Sequence, residues 1–169
     1  ALTWKKLGDI LGSTARISGA ILLIIGCAKI FGDYLNFVRV PQTLTDILTA
    51  TGLPSWAILV AIMLLLVLLG MLVDAVSLIV VTTPVLLPVI IALGYDPLWF
   101  GIVMILNLEI AVVTPPVGLN LYALRGVCPE LGIEEIIRSA IPFVIVQFAV
   151  LMLFVIFPEI SLWLPNLLR

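Results

Sequence analysis

Apolar residues in this 169-residue chain come in long blocks divided by short polar punctuation, a pattern that predicts an all-α chain crossing a bilayer several times. The first block, residues 17–35, is built on Ile21, Leu22, Leu23, Ile24 and Ile25. It closes at Asp33 and Asn36, and Lys29 lies near enough to one end to snorkel. Over residues 41–51, Leu44, Ile47 and Leu48 recur at helical spacing against Gln42, Thr45 and Asp46, which fits a short helix lying on the membrane surface. Gly52 and Pro54 end that element, and a second span, 55–73, then runs without a charge until Asp74.

The next two blocks are interrupted by nearly the same phrase. Val80-Val81-Thr82-Thr83-Pro84-Val85 falls in the first and Val112-Val113-Thr114-Pro115-Pro116-Val117 in the second. Proline removes a backbone donor and crowds the preceding turn, so carbonyls beside each phrase lose helical partners and become available to a cation. Broken helices of this kind point to a transporter's binding region. The apolar arms 75–81 and 85–93 are about half the length needed to cross a hydrocarbon core of roughly 30 Å. Two such arms predict a re-entrant helical hairpin over 75–94 with Thr82, Thr83 and Pro84 at its tip; a single span kinked at Pro84 and Pro88 is the alternative. Gly94-Tyr95-Asp96-Pro97 reads as a turn, and residues 98–124 as a span broken at Thr114-Pro115-Pro116. A last span covers 139–157, with Pro142 placed in its first turn, and 158–169 reads as an interfacial end carrying Trp163.

Polar residues at membrane depth are few. Asn107, Ala111 and Thr114 share one helical face leading into the second break, whereas Glu109 lies about 200° around the helix from Asn107 and points elsewhere. Glu109 is therefore a supporting residue and not the main cation ligand; a functional carboxylate and a hydrogen bond to a neighbouring helix or subunit stand level for it. Gly70, Asp74 and Ser77 form a second stripe, in which Asp74 is expected to cap a helix start rather than touch an ion. The hydroxyls of Thr82, Thr83 and Thr114 suit a hard monovalent ion near Thr83 and Thr114, or else bond back to their own helices. Gly118 and Asn120, just past the second break, offer close backbone approach and a polar contact.

Composition narrows the function classes. The chain is 63% hydrophobic and 11% charged, with a formal charge of −2, and its basic residues are scattered, so no surface tracks a phosphate backbone and no nucleic acid is expected. There is no histidine, which excludes histidine acid/base catalysis and histidine metal ligation. Cys27 and Cys128 are too few for a thiolate metal site. Neither a cofactor nor a catalytic residue is expected. Lys5, Lys6 and Arg16 against Asp9 place the chain's start on the cytoplasmic side by the positive-inside rule. The chain opens at Ala1, and apolar blocks recur throughout, so an internal start or a fragment is expected rather than a signal peptide.

An ordered set of motifs adds a family. Gly70-Met71-Leu72-Val73-Asp74, Thr83-Pro84-Val85-Leu86-Leu87-Pro88, Gly94-Tyr95-Asp96-Pro97-Leu98-Trp99-Phe100-Gly101, Asn107-Leu108-Glu109-Ile110 and Thr114-Pro115-Pro116-Val117-Gly118-Leu119-Asn120-Leu121 closely resemble the large membrane subunit of tripartite ATP-independent periplasmic (TRAP) transporters. Ala111 departs from the pattern, since the family commonly has glycine there. The resemblance covers essentially the whole chain but only the second of the family's two inverted repeats. It implies a sodium-driven importer of organic acids, such as C4-dicarboxylates, sialic acids or related carboxylates, working by an elevator mechanism in a bacterial or archaeal inner membrane. Its implied partners are a small membrane subunit and a periplasmic substrate-binding protein. Transferred by motif, it assigns the sodium and substrate site to Thr82, Thr83 and Pro84 on one side and to Thr114, Pro115, Pro116, Val117 and Gly118 on the other, with Asn107 and Asn120 nearby. One repeat alone is not expected to transport. A hairpin-containing secondary transporter without a binding protein, and an intramembrane hydrolase using Asp74 and Glu109, are the alternatives.

Overall fold

The computed structural model describes residues 3–115, 118–128 and 130–168, among which the chain forms helices and no strand. In order these are α1 (Trp4–Phe37), α2 (Val40–Ala50), α3 (Ser55–Gly70), α4 (Ala75–Ala92), α5 (Pro97–Val113), α6 (Leu119–Val127), α7 (Ile133–Ile156) and α8 (Glu159–Leu167). By length and apolar character α1, α4 and α7 can each cross a membrane, while α3 and α5 are shorter apolar helices. The protein is an all-α polytopic membrane protein.

The centre of the fold is α5. Asp96 starts it, accepting hydrogen bonds from the backbone N–H of Leu98 (2.8 Å) and Trp99 (3.1 Å), while Pro97 occupies a first-turn position where its missing donor costs nothing. Trp99, Phe100, Val103, Met104, Asn107, Leu108, Ile110, Ala111 and Val112 are all buried, against α3, α4 and α7. Two side chains on α5 fix its neighbours. The Trp99 indole N–H donates to the Phe154 carbonyl of α7 at 2.8 Å, and the Asn107 amide donates to the Met63 carbonyl of α3 at 3.0 Å. Each satisfies a polar group that hydrocarbon surroundings would leave unpaired.

The expected hairpin over 75–94 is corrected. α4 runs unbroken from Ala75 to Ala92 through Pro84 and Pro88, the kinked-span alternative. Packing holds it together where local chemistry would break it: α1, α2, α3 and α5 all contact α4, and α1 fits closely at the proline. At Gly32 of α1 a Cβ would lie 2.8 Å from the Pro84 ring, so only glycine lets the two helices approach there. The helical hairpin lies one step earlier. α3 and α4 are joined by the four residues Met71–Asp74 and run back alongside each other, with Ile62, Leu65, Leu66 and Leu69 of α3 and Val81, Thr82, Val85 and Leu86 of α4 lining one groove with α1 and α2.

Two smaller differences have local causes. Pro142 lies well inside α7 rather than in its first turn, because the helix starts at Ile133, where Gly132 stands at the N-cap and Glu134 and Glu135 complement the positive helix end. The first helix extends past residues 17–35 to span Trp4–Phe37, taking in Lys5, Lys6, Asp9 and Arg16 as one continuous helix.

Candidate ion and substrate site

Around Thr114 the chain leaves the helical path: α5 stops at Val113 and α6 starts at Leu119. Thr114 is extended at φ −92° and ψ 131°, and its N–H reaches only to Ala111. The last turn of a helix leaves carbonyls without intrahelical donors. Gly118 takes up the new direction at φ +54°, and a Cβ there would lie 3.2 Å from the Thr114 carbonyl oxygen and 2.9 Å from Leu121. Glycine is required by both conformation and space. Pro115 is exposed, while Pro116 and Val117 lie outside the described residues.

Facing this break is the α3–α4 connection. Gly70, the last residue of α3, is buried, and a Cβ on it would come within 2.7 Å of the Ala111 Cβ and 3.1 Å of a Leu108 methyl. The carboxyl ends of α3 and α5 therefore meet at Gly70 and Ala111. Asp74 begins α4, its carboxylate accepting the Ser77 N–H at 2.9 Å, so it caps the helix as expected and uses Ser77 for that bond.

The threonine hydroxyls are committed locally. Thr82 donates to Leu78 (2.7 Å), Thr83 to Ile79 (2.6 Å) and Thr114 to Ile110 (2.5 Å), each one turn back along its own helix. The two threonine phrases also part company. Thr83 and Pro84 line a groove with Ile25, Ala28 and Lys29 of α1, whereas Thr114 and Asn107 line a cleft of about 360 Å³ between α3, α5 and α7. The structure does not bring Thr83 and Thr114 together. Thr82 faces the α1–α2–α3 side with Phe31 and Leu44. Asn107 is buried and engaged with α3, and Glu109, as the helical count requires, is exposed on the other side of α5. Asn120 is exposed beside Glu135 and Ser139 of α7, in a pocket of about 380 Å³.

The tip and the break are thus contributed by residues 70–77 at the α3–α4 connection and by the described residues of 111–118 between α5 and α6, a helix end followed by a helix start in each. Sequence similarity decides what kind of molecule uses it. Residues 1–160 match the family described as tripartite ATP-independent periplasmic transporter, DctM component. This chain belongs to the DctM family. It is 36% identical over 167 residues to the C4-dicarboxylate TRAP transporter large permease protein DctM of Rhodobacter capsulatus, covering 99% of this chain and 38% of that protein. It is 32% identical over 166 residues to the sialic acid TRAP transporter large permease protein SiaM of Vibrio cholerae, covering 98% of this chain and 39% of that one. With the isethionate TRAP transporter permease protein DctMQ of Oleidesulfovibrio alaskensis the identity is 34% over 155 residues, covering 92% of this chain and 24% of the relative. The chain spans under two fifths of the length of these relatives.

DctM proteins are transporter permeases and not enzymes, which removes the hydrolase alternative for Asp74 and Glu109. In the sequence Gly70 stands in a stripe with Asp74 and Ser77 and opens the motif Gly70-Met71-Leu72-Val73-Asp74, but it is not among the residues assigned to the ion and substrate site. The signal for its larger role is that an uncharged apolar run ends in Gly70 and the next begins after Asp74, a glycine and a capping acid bracketing a turn.

Proposed function

We propose that this chain forms part of a sodium-coupled importer of organic acids, and that sodium binds where the α3–α4 tip meets the break between α5 and α6. One observation carries the reading: the contact of Gly70 with Ala111 brings two helix carboxyl ends together. Each such end carries partial negative charge and carbonyls lacking intrahelical donors, so their meeting favours a small cation and disfavours vacancy. Backbone carbonyls are the ligands this arrangement offers first; Thr82 and Thr83 line grooves against α1, away from the Gly70–Ala111 contact, while the Thr114 hydroxyl donates to Ile110 and keeps lone pairs that can join the carbonyls.

α4 starts five residues after Gly70, the N-cap of α6, Gly118, lies close to the Thr114 carbonyl, and helix amino ends favour anions. No lysine or arginine occurs in residues 70–78 or 107–121, so a carboxylate substrate would depend on those amide ends and on groups outside these segments. A cation and an anion that both favour the same closed arrangement of tip and break are coupled without touching. Domain motion of the elevator type would carry this assembly across the inner membrane, with substrate delivered by a periplasmic binding protein and the permease held by a small membrane subunit. C4-dicarboxylates, sialic acid and isethionate are the substrates to test, being those named for the relatives.

The test is uptake by liposomes containing the complete permease with its small subunit, measured with and without a sodium gradient and with and without the binding protein. Uptake that needs both supports the proposal. Uptake indifferent to sodium contradicts it, and uptake indifferent to the binding protein would place the molecule among other hairpin transporters.

A further inference from the structure

The central helix has one open side. Along α5, Leu98 (47% exposed), Ile105 (51% exposed) and Glu109 project from a single strip at spacings of seven and four residues, and Gly101 between them has nothing within 4 Å of where a Cβ would stand. Every other side of the helix is packed on α3, α4, α6, α7 or α8. The ion pair found among the described residues joins Lys29 and Asp33, so no basic group there answers Glu109. A carboxylate in the last turns of a helix stands against the negative helix end, and on a helix of this apolar character it would otherwise meet lipid tails; both are unfavourable. Lipid is thus a poor occupant for the strip. Protein carrying a hydrogen-bond donor is a good one.

Polypeptide to supply it exists in the family, since the region equivalent to this chain makes up 38% of the Rhodobacter capsulatus permease and 39% of the Vibrio cholerae one. We propose that the Leu98–Ile105–Glu109 strip is covered in the complete permease by a further helix of the same subunit, and that this helix presents a basic or amide side chain to Glu109. The covering helix packs its apolar side on Leu98 and Ile105, and the open space at Gly101 lets its backbone come close. Glu109 acts in this arrangement as a positioning residue between two parts of one subunit, not as an ion ligand.

The inference rests on family membership and not on sodium coupling, so its test does not use uptake. In the complete permease, p-benzoylphenylalanine in place of Ile105 is irradiated in native membranes, and the adducts are mapped by mass spectrometry. The expected adduct is a peptide of the same polypeptide outside the region equivalent to residues 1–169. Adducts confined to lipid, to the small subunit or to a second copy overturn the proposal, as does the absence of protein adducts. A second measurement follows thermal unfolding of the purified permease: Glu109→Lys should lower the midpoint more than Glu109→Gln, and glutamate in place of the partner side chain in the cross-linked helix should restore it. Equal midpoints for wild type and Glu109→Lys would contradict the pairing.

Discussion

A methyl group placed on Gly70 would sit 2.7 Å from the Cβ of Ala111. Real Cβ atoms do not approach so closely, so the last turn of α3 rests against the last turn of α5 only because position 70 has no side chain. Ala111 is itself small and fully buried. Helix carboxyl ends brought this near each other repel unless positive charge lies between or beside them, which is why the contact bears on ion binding as well as packing.

The threonines of α4 are predicted to matter little for sodium. Thr82 and Thr83 donate their hydroxyls to Leu78 and Ile79 within the same helix. Thr82→Val and Thr83→Val in the complete permease should leave the half-saturating sodium concentration within about twofold of wild type, because both side chains line grooves against α1 and not the Gly70–Ala111 contact. A sodium titration of uptake checks this, and a loss of sodium dependence in either variant would restore these hydroxyls as ligands.

Asp74 holds the start of α4 through its bond to the Ser77 N–H. Asp74→Ala should cost about 1 kcal/mol of local stability, while Asp74→Asn keeps most of the cap. Hydrogen exchange at the amides of Ser77 and Leu78 reads this directly, with acceleration on the order of fivefold in the alanine variant and little change in the asparagine one. Equal exchange in all three proteins would show that the cap does not hold the tip.

Asn107 is expected to act through packing. Its amide joins α5 to the Met63 carbonyl of α3, and it is the buried polar side chain found among the described residues. Asn107→Leu should lower stability by about 1 kcal/mol, the net worth of such a bond, without moving the sodium response. Thermal unfolding and sodium titration of the same preparation separate the two, and a shifted sodium response at unchanged stability would make Asn107 an ion ligand instead.

What was legible in the sequence follows from how far local chemistry controls each element. Thr114-Pro115-Pro116 followed by Gly118 carries two consecutive prolines and a glycine with φ of +54°, and the helix does end at Val113 and restart at Leu119. Thr82-Thr83-Pro84 looks similar in one dimension, yet its single proline sits in a helix enclosed by α1, α2, α3 and α5, and tertiary packing keeps α4 intact. The true turn was obscured by its own residues. Met71, Leu72 and Val73 are as apolar as the helices they connect, leaving Gly70 and Asp74 as its markers. The separation of Asn107 from Glu109 was readable because helical periodicity alone sets it. The meeting of Gly70 with Ala111 depends on how three helices dock, and no local pattern encodes that.

The most direct test of the tip-and-break site is a sodium titration of uptake by four versions of the complete permease: wild type, Gly70→Ala, Ala111→Gly and the two changes together. The Cβ added at position 70 meets the Cβ of Ala111 first, so removing the latter should relieve most of the clash. Gly70→Ala alone should raise half-saturating sodium by about tenfold, or ~1.4 kcal/mol, and the double variant should recover most of that loss. An unchanged sodium response in Gly70→Ala, or a loss that Ala111→Gly fails to relieve, would contradict a sodium site built on this contact.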